Sequence, residues 1–140
     1  MKNKFIIALF CTVIHQITAQ QFTRKDSLQG GFSKERMCYD VLHYKLDIKV
    51  DPSEKYISGS NSITFKVVEK TSSIQVDLFE NMQVDSIIFN QNKLKYSREF
   101  GAVFIQFEDV LDQDLTQHSI QFYYSGNPII AQNAPWDGGF

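Results

Sequence analysis

Proline is scarce in this 140-residue chain, with three residues, and glycine is little more frequent, with seven. Neither count suits a collagen-like or low-complexity disordered protein. No sign of charge dominates either: Lys and Arg total 14 against 16 Asp and Glu, a formal net charge of −2. Phosphate backbones call for a clear basic excess, so nucleic acid is excluded as the main partner. There are two cysteines and one tryptophan. The metal-binding H-E-x-x-H, the G-x-S-x-G nucleophile elbow and a Gly-rich phosphate loop are all absent. What the chain does have is 43% hydrophobic residues, including twelve Phe and six Tyr, enough to fill a core. Its length allows one domain, with or without a targeting segment.

The first residues differ from the rest. Lys2 and Lys4 precede an apolar stretch from Phe5 to Ile14, interrupted by Thr12, and Thr18-Ala19 supplies small residues. A run of about ten apolar residues is too short to span a bilayer, which takes roughly twenty, but suits the centre of a secretory signal. The expectation is a signal peptide over 1–19, cleaved after Ala19, and export to a periplasmic, cell-surface or extracellular destination. A lipoprotein processed at Cys11 is disfavoured by the bulky Phe10 before it. Cleavage would leave 12 basic against 16 acidic residues, a net −4, and only Cys38 of the cysteines. A lone cysteine in an exported chain is a buried thiol or pairs outside the chain.

Residues 20–39 are polar and mixed, with Gly30-Gly31 in the middle, and read as an extended lead-in. From residue 40 the pattern is β. Leu42, Tyr44, Leu46, Ile48 and Val50 alternate with His43, Lys45, Asp47 and Lys49, which puts the apolar set on one face of a strand. Asp51-Pro52-Ser53 ends it as a turn. Ile57, Gly59, Asn61, Ile63, Phe65 and Val67 share a face of the next strand, with a bulge or a close backbone approach at Gly59. In SIQVDLF, Ile74, Val76 and Leu78 point inward, and Gln75 and Asp77 outward. Met82–Phe89, Leu94–Tyr96, Ala102–Phe107 and Ser119–Tyr124 supply further strands, Asn90–Lys93 a turn, and 108–117 a polar loop. Seven or eight short strands at about ten-residue spacing, without a long helical period, predict an all-β, antiparallel β-sandwich over 40–140.

Candidate chemistry is thin. His43 and His118 lack neighbouring ligands and read as surface histidines, since zinc takes three or four converging donors. Glu108, Asp109, Asp112 and Asp114 lack the glycine of a calcium loop and read as a solvated acidic loop. Phe122 and Tyr124 read as core, with Tyr123 pointing away from them. The loop Trp136-Asp137-Gly138-Gly139 holds the one tryptophan beside two glycines that permit unusual backbone angles or close approach to a partner.

The run from Cys38 to Phe140 resembles the N-terminal domain of aminopeptidase N-like zinc metallopeptidases. YDVLHYKLDIKVDPSEKYISGSNSITFKV, from Tyr39 to Val67, is similar to the family's Y-D-V-x-x-Y-x-L-x-L-x-V-D opening, followed by a turn and I-x-G. IQVDLFENMQVDSI at Ile74 to Ile87, then AVFIQF, IQFYYSGNP and the terminal PWDGGF, follow in the family's order, and Leu28-x-Gly30 and Glu35-Arg36 fit a bacterial branch.

The resemblance implies a saddle-shaped β-domain that docks a zinc-bearing catalytic domain of the same parent chain and borders its substrate cleft. The parent would hydrolyse N-terminal residues from peptides. The family's catalytic and metal-binding motifs are absent here, so no catalytic, cofactor-binding or metal residue is assigned. Zinc is expected in the parent's catalytic domain, and Trp136, Asp137, Gly138 and Gly139 are the candidate cleft-bordering loop. The domain is expected to be incomplete at its C-terminal end, where the chain stops inside a continuing motif. Two alternatives stay open: a free-standing secreted β-sandwich that binds peptide or glycan, and a non-catalytic relative of the family.

Overall fold

Alternation in the sequence becomes two antiparallel sheets in the structure, a computed structural model that describes residues 21–133. The signal-peptide reading of 1–19 and the Trp136–Gly139 loop lie outside the described residues. Eight strands follow two short helices: α1 (Arg24–Gly30), α2 (Lys34–Met37), β1 (Tyr39–Asp51), β2 (Tyr56–Val67), β3 (Thr71–Asp77), β4 (Met82–Phe89), β5 (Asn92–Lys93), β6 (Lys95–Glu99), β7 (Ala102–Leu111) and β8 (Gln117–Gly126). One sheet runs β1-β2-β8-β4-β5 and the other β3-β7-β6.

The sheets pack face to face. Ile63, Phe65, Val67, Ile120, Phe122, Val84 and Ile87 of the larger meet Ile74, Val103, Ile105, Phe107 and Leu111 of the smaller. All of these are buried hydrophobic side chains, the main favourable term in folding. Polar links also tie the layers together. The Tyr96 hydroxyl donates to the Val84 carbonyl at 3.2 Å, and Arg98 donates to the carbonyls of Leu78, Phe79 and Met82. The chain changes sheets at Leu94, after a tight turn in which Asn90 and Gln91 take positive φ (48° and 70°). Positive φ at both central residues is the hairpin turn that matches strand twist.

The lead-in differs from the extended reading: it is helical. Seven- and four-residue helices are too short to show a 3.6-residue period, and packing rather than pattern holds them. Thr23 caps α1 in a capping box with Asp26. The segment lies over the outer face of the small sheet. Gln75 faces outward as read, yet it is buried beneath this segment. Its amide donates to the Leu28 carbonyl and to Asp77, both at 2.9 Å, and accepts from Ser33 at 3.2 Å. Arg36 completes the fastening, donating to the Leu28 carbonyl at 2.9 Å and pairing with Asp77.

Of three further readings, one changes and two are narrowed. Residues 108–111 belong to β7 rather than to a loop, because Leu111 pairs with Thr71 beyond an irregularity in the ladder. The register at Gly59 is unbroken, so that glycine marks a close approach and not a bulge. A β-carbon there would run into the Asp47 carbonyl. The irregularity in the β1–β2 ladder sits instead between Val41 and His43. It leaves Leu42 without a partner in the ladder, whereas Tyr44, Leu46, Ile48 and Val50 are paired in unbroken register.

Candidate functional site

The two sheets are unequal, and that inequality creates the site. β1 and β2 run twelve or thirteen residues, whereas β3 and β6 run seven and five. The small sheet covers the Tyr39–Val41 end of β1 and the Ile63–Val67 end of β2, then stops. Beyond it, the same face of the large sheet carries Tyr44, Leu46, Ile48 and Val50, which are 46–58% exposed. Ile57 lies beside Val50 in the ladder. An uncovered apolar row of this kind marks an interaction surface rather than scattered surface hydrophobes. The sequence predicts the shared face. It does not predict that the face lies open, because coverage depends on the length of strands in the other sheet.

A second apolar cluster lies at the end of the sandwich near α1. Phe79, Phe100 and Ile129 are exposed there. Gln29, Asp77, Leu78, Phe79 and Gly101 line a groove of about 280 Å³ beside them. A smaller cavity of about 200 Å³ opens between the sheets at Phe89, Leu94, Phe107, Leu111 and His118.

The residues singled out for chemistry do not converge. His43 sits opposite Thr64 on the outer face of the large sheet. His118 is not a surface histidine. It lies on the inner face of β8, with its ring 5.6 Å from that of Phe65 and 5.9 Å from that of Phe89, and its Nε2 is buried without a partner. The sequence held the signal for this, since His118 has the same parity as Ile120 and Phe122. Asp114 folds back on the chain instead of facing a metal, accepting from the Thr116 amide at 2.8 Å and its hydroxyl at 2.9 Å. These bonds hold its carboxyl below the usual range. No group of three or more His, Cys, Asp or Glu able to hold a metal ion occurs among the described residues. With one histidine facing outward and the other stacked among phenylalanines, these residues do not fit a zinc site.

Cys38 is a fully buried free thiol beneath the helical segment. Its Sγ lies 3.6 Å from the Glu35 and Ser73 carbonyls, either of which can accept its one proton, and burial pushes its pKa up. The neighbouring Tyr39 donates to the Gln75 carbonyl at 2.6 Å, and burial raises its hydroxyl to about 12. Phe122 and Tyr124 pack in or against the core and Tyr123 points outward, as the alternation predicts.

No protein-family model matches the sequence, and no curated protein does. Solved structures do match the fold. A variant of a two-domain M1 zinc metallopeptidase bound to L-arginine superposes over 74% of this chain and 24% of its own, with a TM-score of 0.61 and 21% identity. The M1 zinc metallopeptidase of Deinococcus radiodurans gives a TM-score of 0.57 at 24% identity, over 65% of this chain and 21% of its own. Yeast LTA4 hydrolase gives 0.53 at 18%, over 64% and 14%. The fold is that of the N-terminal portion of M1 zinc metallopeptidases. The chain spans about a quarter of the length of the M1 structures it matches. No helix among the described residues is long and apolar enough to cross a membrane.

Proposed function

We propose that this chain is the non-catalytic N-terminal β-domain of an exported zinc-dependent metallo-aminopeptidase. Its task is to dock the catalytic domain of the same parent and to border the substrate cleft. The parent would use a zinc-activated water to release N-terminal residues from peptides. One observation carries the docking role: the apolar row Tyr44, Leu46, Ile48 and Val50 is aligned with the core yet uncovered. A folded domain gains by covering such a row, at roughly 25 cal/mol for each Å² of apolar surface removed from water. The M1-type fold supports the identity of the covering domain. Trp136, Asp137, Gly138 and Gly139 are the proposed cleft-bordering loop, and no residue of this chain is assigned to catalysis.

The test is activity captured from native cells. An antibody against residues 21–133 should deplete an aminopeptidase activity that a chelator abolishes and added zinc restores. Depletion of the antigen with no loss of such activity would contradict the proposal. It would favour a free-standing binding module or a relative without a zinc site.

A further inference from the structure

Among the described residues, the outer rim of β1 is a free strand edge. β1 is terminal in its sheet, and every residue from Leu42 to Val50 is exposed. Its register with β2 is unbroken from His43 to Asp51, so this stretch is a regular strand with unpaired main-chain groups along one side. Natural edges are guarded by prolines, bulges or charges. Here the irregularity lies at one end, at Leu42, and Pro52 lies past the other. Charge remains as the guard, and its pattern is unusual.

Lys45, Asp47, Lys49 and Asp51 alternate in sign along the outer face of β1. Antiparallel pairing of this strand with its own copy places residues of one face opposite one another about a two-fold axis. An axis through Asp47 sets Lys45 against Lys49 and Asp47 against itself, which is repulsive. An axis through Ile48 does the opposite. It sets Lys45 against Asp51 and Asp47 against Lys49, each twice by symmetry. On the apolar face the same axis sets Ile48 against Ile48 and Leu46 against Val50. Opposite charges directly across a ladder attract, and the apolar side chains on its other face cover one another. Asp51 is free to take part. Its bonds to the Ser53 amide and hydroxyl and to the Glu54 amide all end on Oδ1, leaving Oδ2 unused by them.

We propose that β1 is a self-recognition edge through which two copies of this chain pair antiparallel, in a register centred on Ile48. The outcome is one continuous sheet running through both copies, with the two apolar rows side by side on the same face. The pairing uses the edge and not the face, so it does not depend on the docking role.

Sedimentation equilibrium of the purified chain tests this, with circular dichroism confirming that each variant is folded. The chain should show a concentration-dependent dimer. Asp47→Lys, or Lys49→Asp, should weaken it about tenfold or more, because each reversal turns two attractive pairs into repulsive ones. The double variant Asp47→Lys/Lys49→Asp restores both pairs and should recover the affinity of the parent. A monomer at all concentrations up to about 100 µM would overturn the proposal. So would a dimer indifferent to both reversals. A dimer weakened by Asp47→Lys and not rescued by the double variant would put Asp47 opposite Lys45, and would overturn the Ile48 register.

Discussion

Tyr44 and Ile63 stand directly opposite each other in the β1–β2 ladder, on the same face of the sheet, yet Ile63 is 2% exposed and Tyr44 55%. The edge of the small sheet falls between them. One face is thus core where it is covered and an exposed apolar row where it is not.

This contrast predicts unequal mutational costs. Ile63→Ala should destabilise the chain by about 2–5 kcal/mol, the usual range for emptying a buried aliphatic site. Tyr44→Ala should cost less than about 1 kcal/mol, since little surface is buried there. Urea unfolding of both variants measures the difference. Equal costs would mean that the row is covered within the chain itself.

Gly59→Ala is predicted to be harmful at a position where strand propensity alone would favour it. The added β-carbon would meet the Asp47 carbonyl of the neighbouring strand, which is backbone and cannot move aside cheaply. A loss of about 1–3 kcal/mol is expected, as for other overpacked sites. Ser58→Ala, one residue earlier, should leave the denaturation midpoint nearly unchanged. Similar midpoints for both variants would refute the close approach.

Alkaline pH should loosen the junction of β1 and β3. Tyr39 ionises at about 12 in the folded chain against an ordinary value of 10.0, because burial disfavours the phenolate. A raised folded value means that the stabilisation is complete below pH 10 and is lost as pH climbs toward 12. The loss is on the order of 2–3 kcal/mol. Tyr39→Phe removes this ionisation together with the bond to the Gln75 carbonyl. It should start less stable at neutral pH and show a flatter decline between pH 10 and 12. Parallel declines in the two proteins would contradict the assignment.

Cys38 should react slowly with a thiol reagent at pH 8. Burial raises its pKa, so the thiolate forms only at higher pH, and the helical segment shields the sulfur. Arg36 fastens that segment through carbonyls of α1, and such bonds from a charged donor are worth about 1.5–3 kcal/mol. Arg36→Ala should therefore speed labelling by about tenfold or more through easier local opening. An unchanged rate would mean that the sulfur is reached by another route.

The strands were largely legible in the sequence because alternation is a local signal. It locates β1, β2, β4 and the Phe122/Tyr124 face of β8 without any knowledge of neighbours. The resemblance of Tyr39–Val67 and the segments after it to the M1 N-terminal domain is matched by the structural likeness. What escaped was set by packing. Gln75 looks solvated until α1 and α2 are laid over it, and those helices are too short to announce themselves, although Thr23 and Asp26 spell a capping box. The polar residues before His118 mask its parity with Ile120, which places it on the inner face of β8. The open row from Tyr44 to Val50 was legible as a face. That it forms the candidate site follows only from where the opposing sheet ends.

The mass of the native protein tests the central claim most directly. An antibody against residues 21–133 should detect, in fractions of the source cells, a species several times heavier than the 16.2 kDa of this chain. That result is predicted if the domain is built to dock a catalytic domain in the same polypeptide. A denatured band matching this chain, or this chain without its first nineteen residues, would contradict it and leave a free-standing β-sandwich in its place.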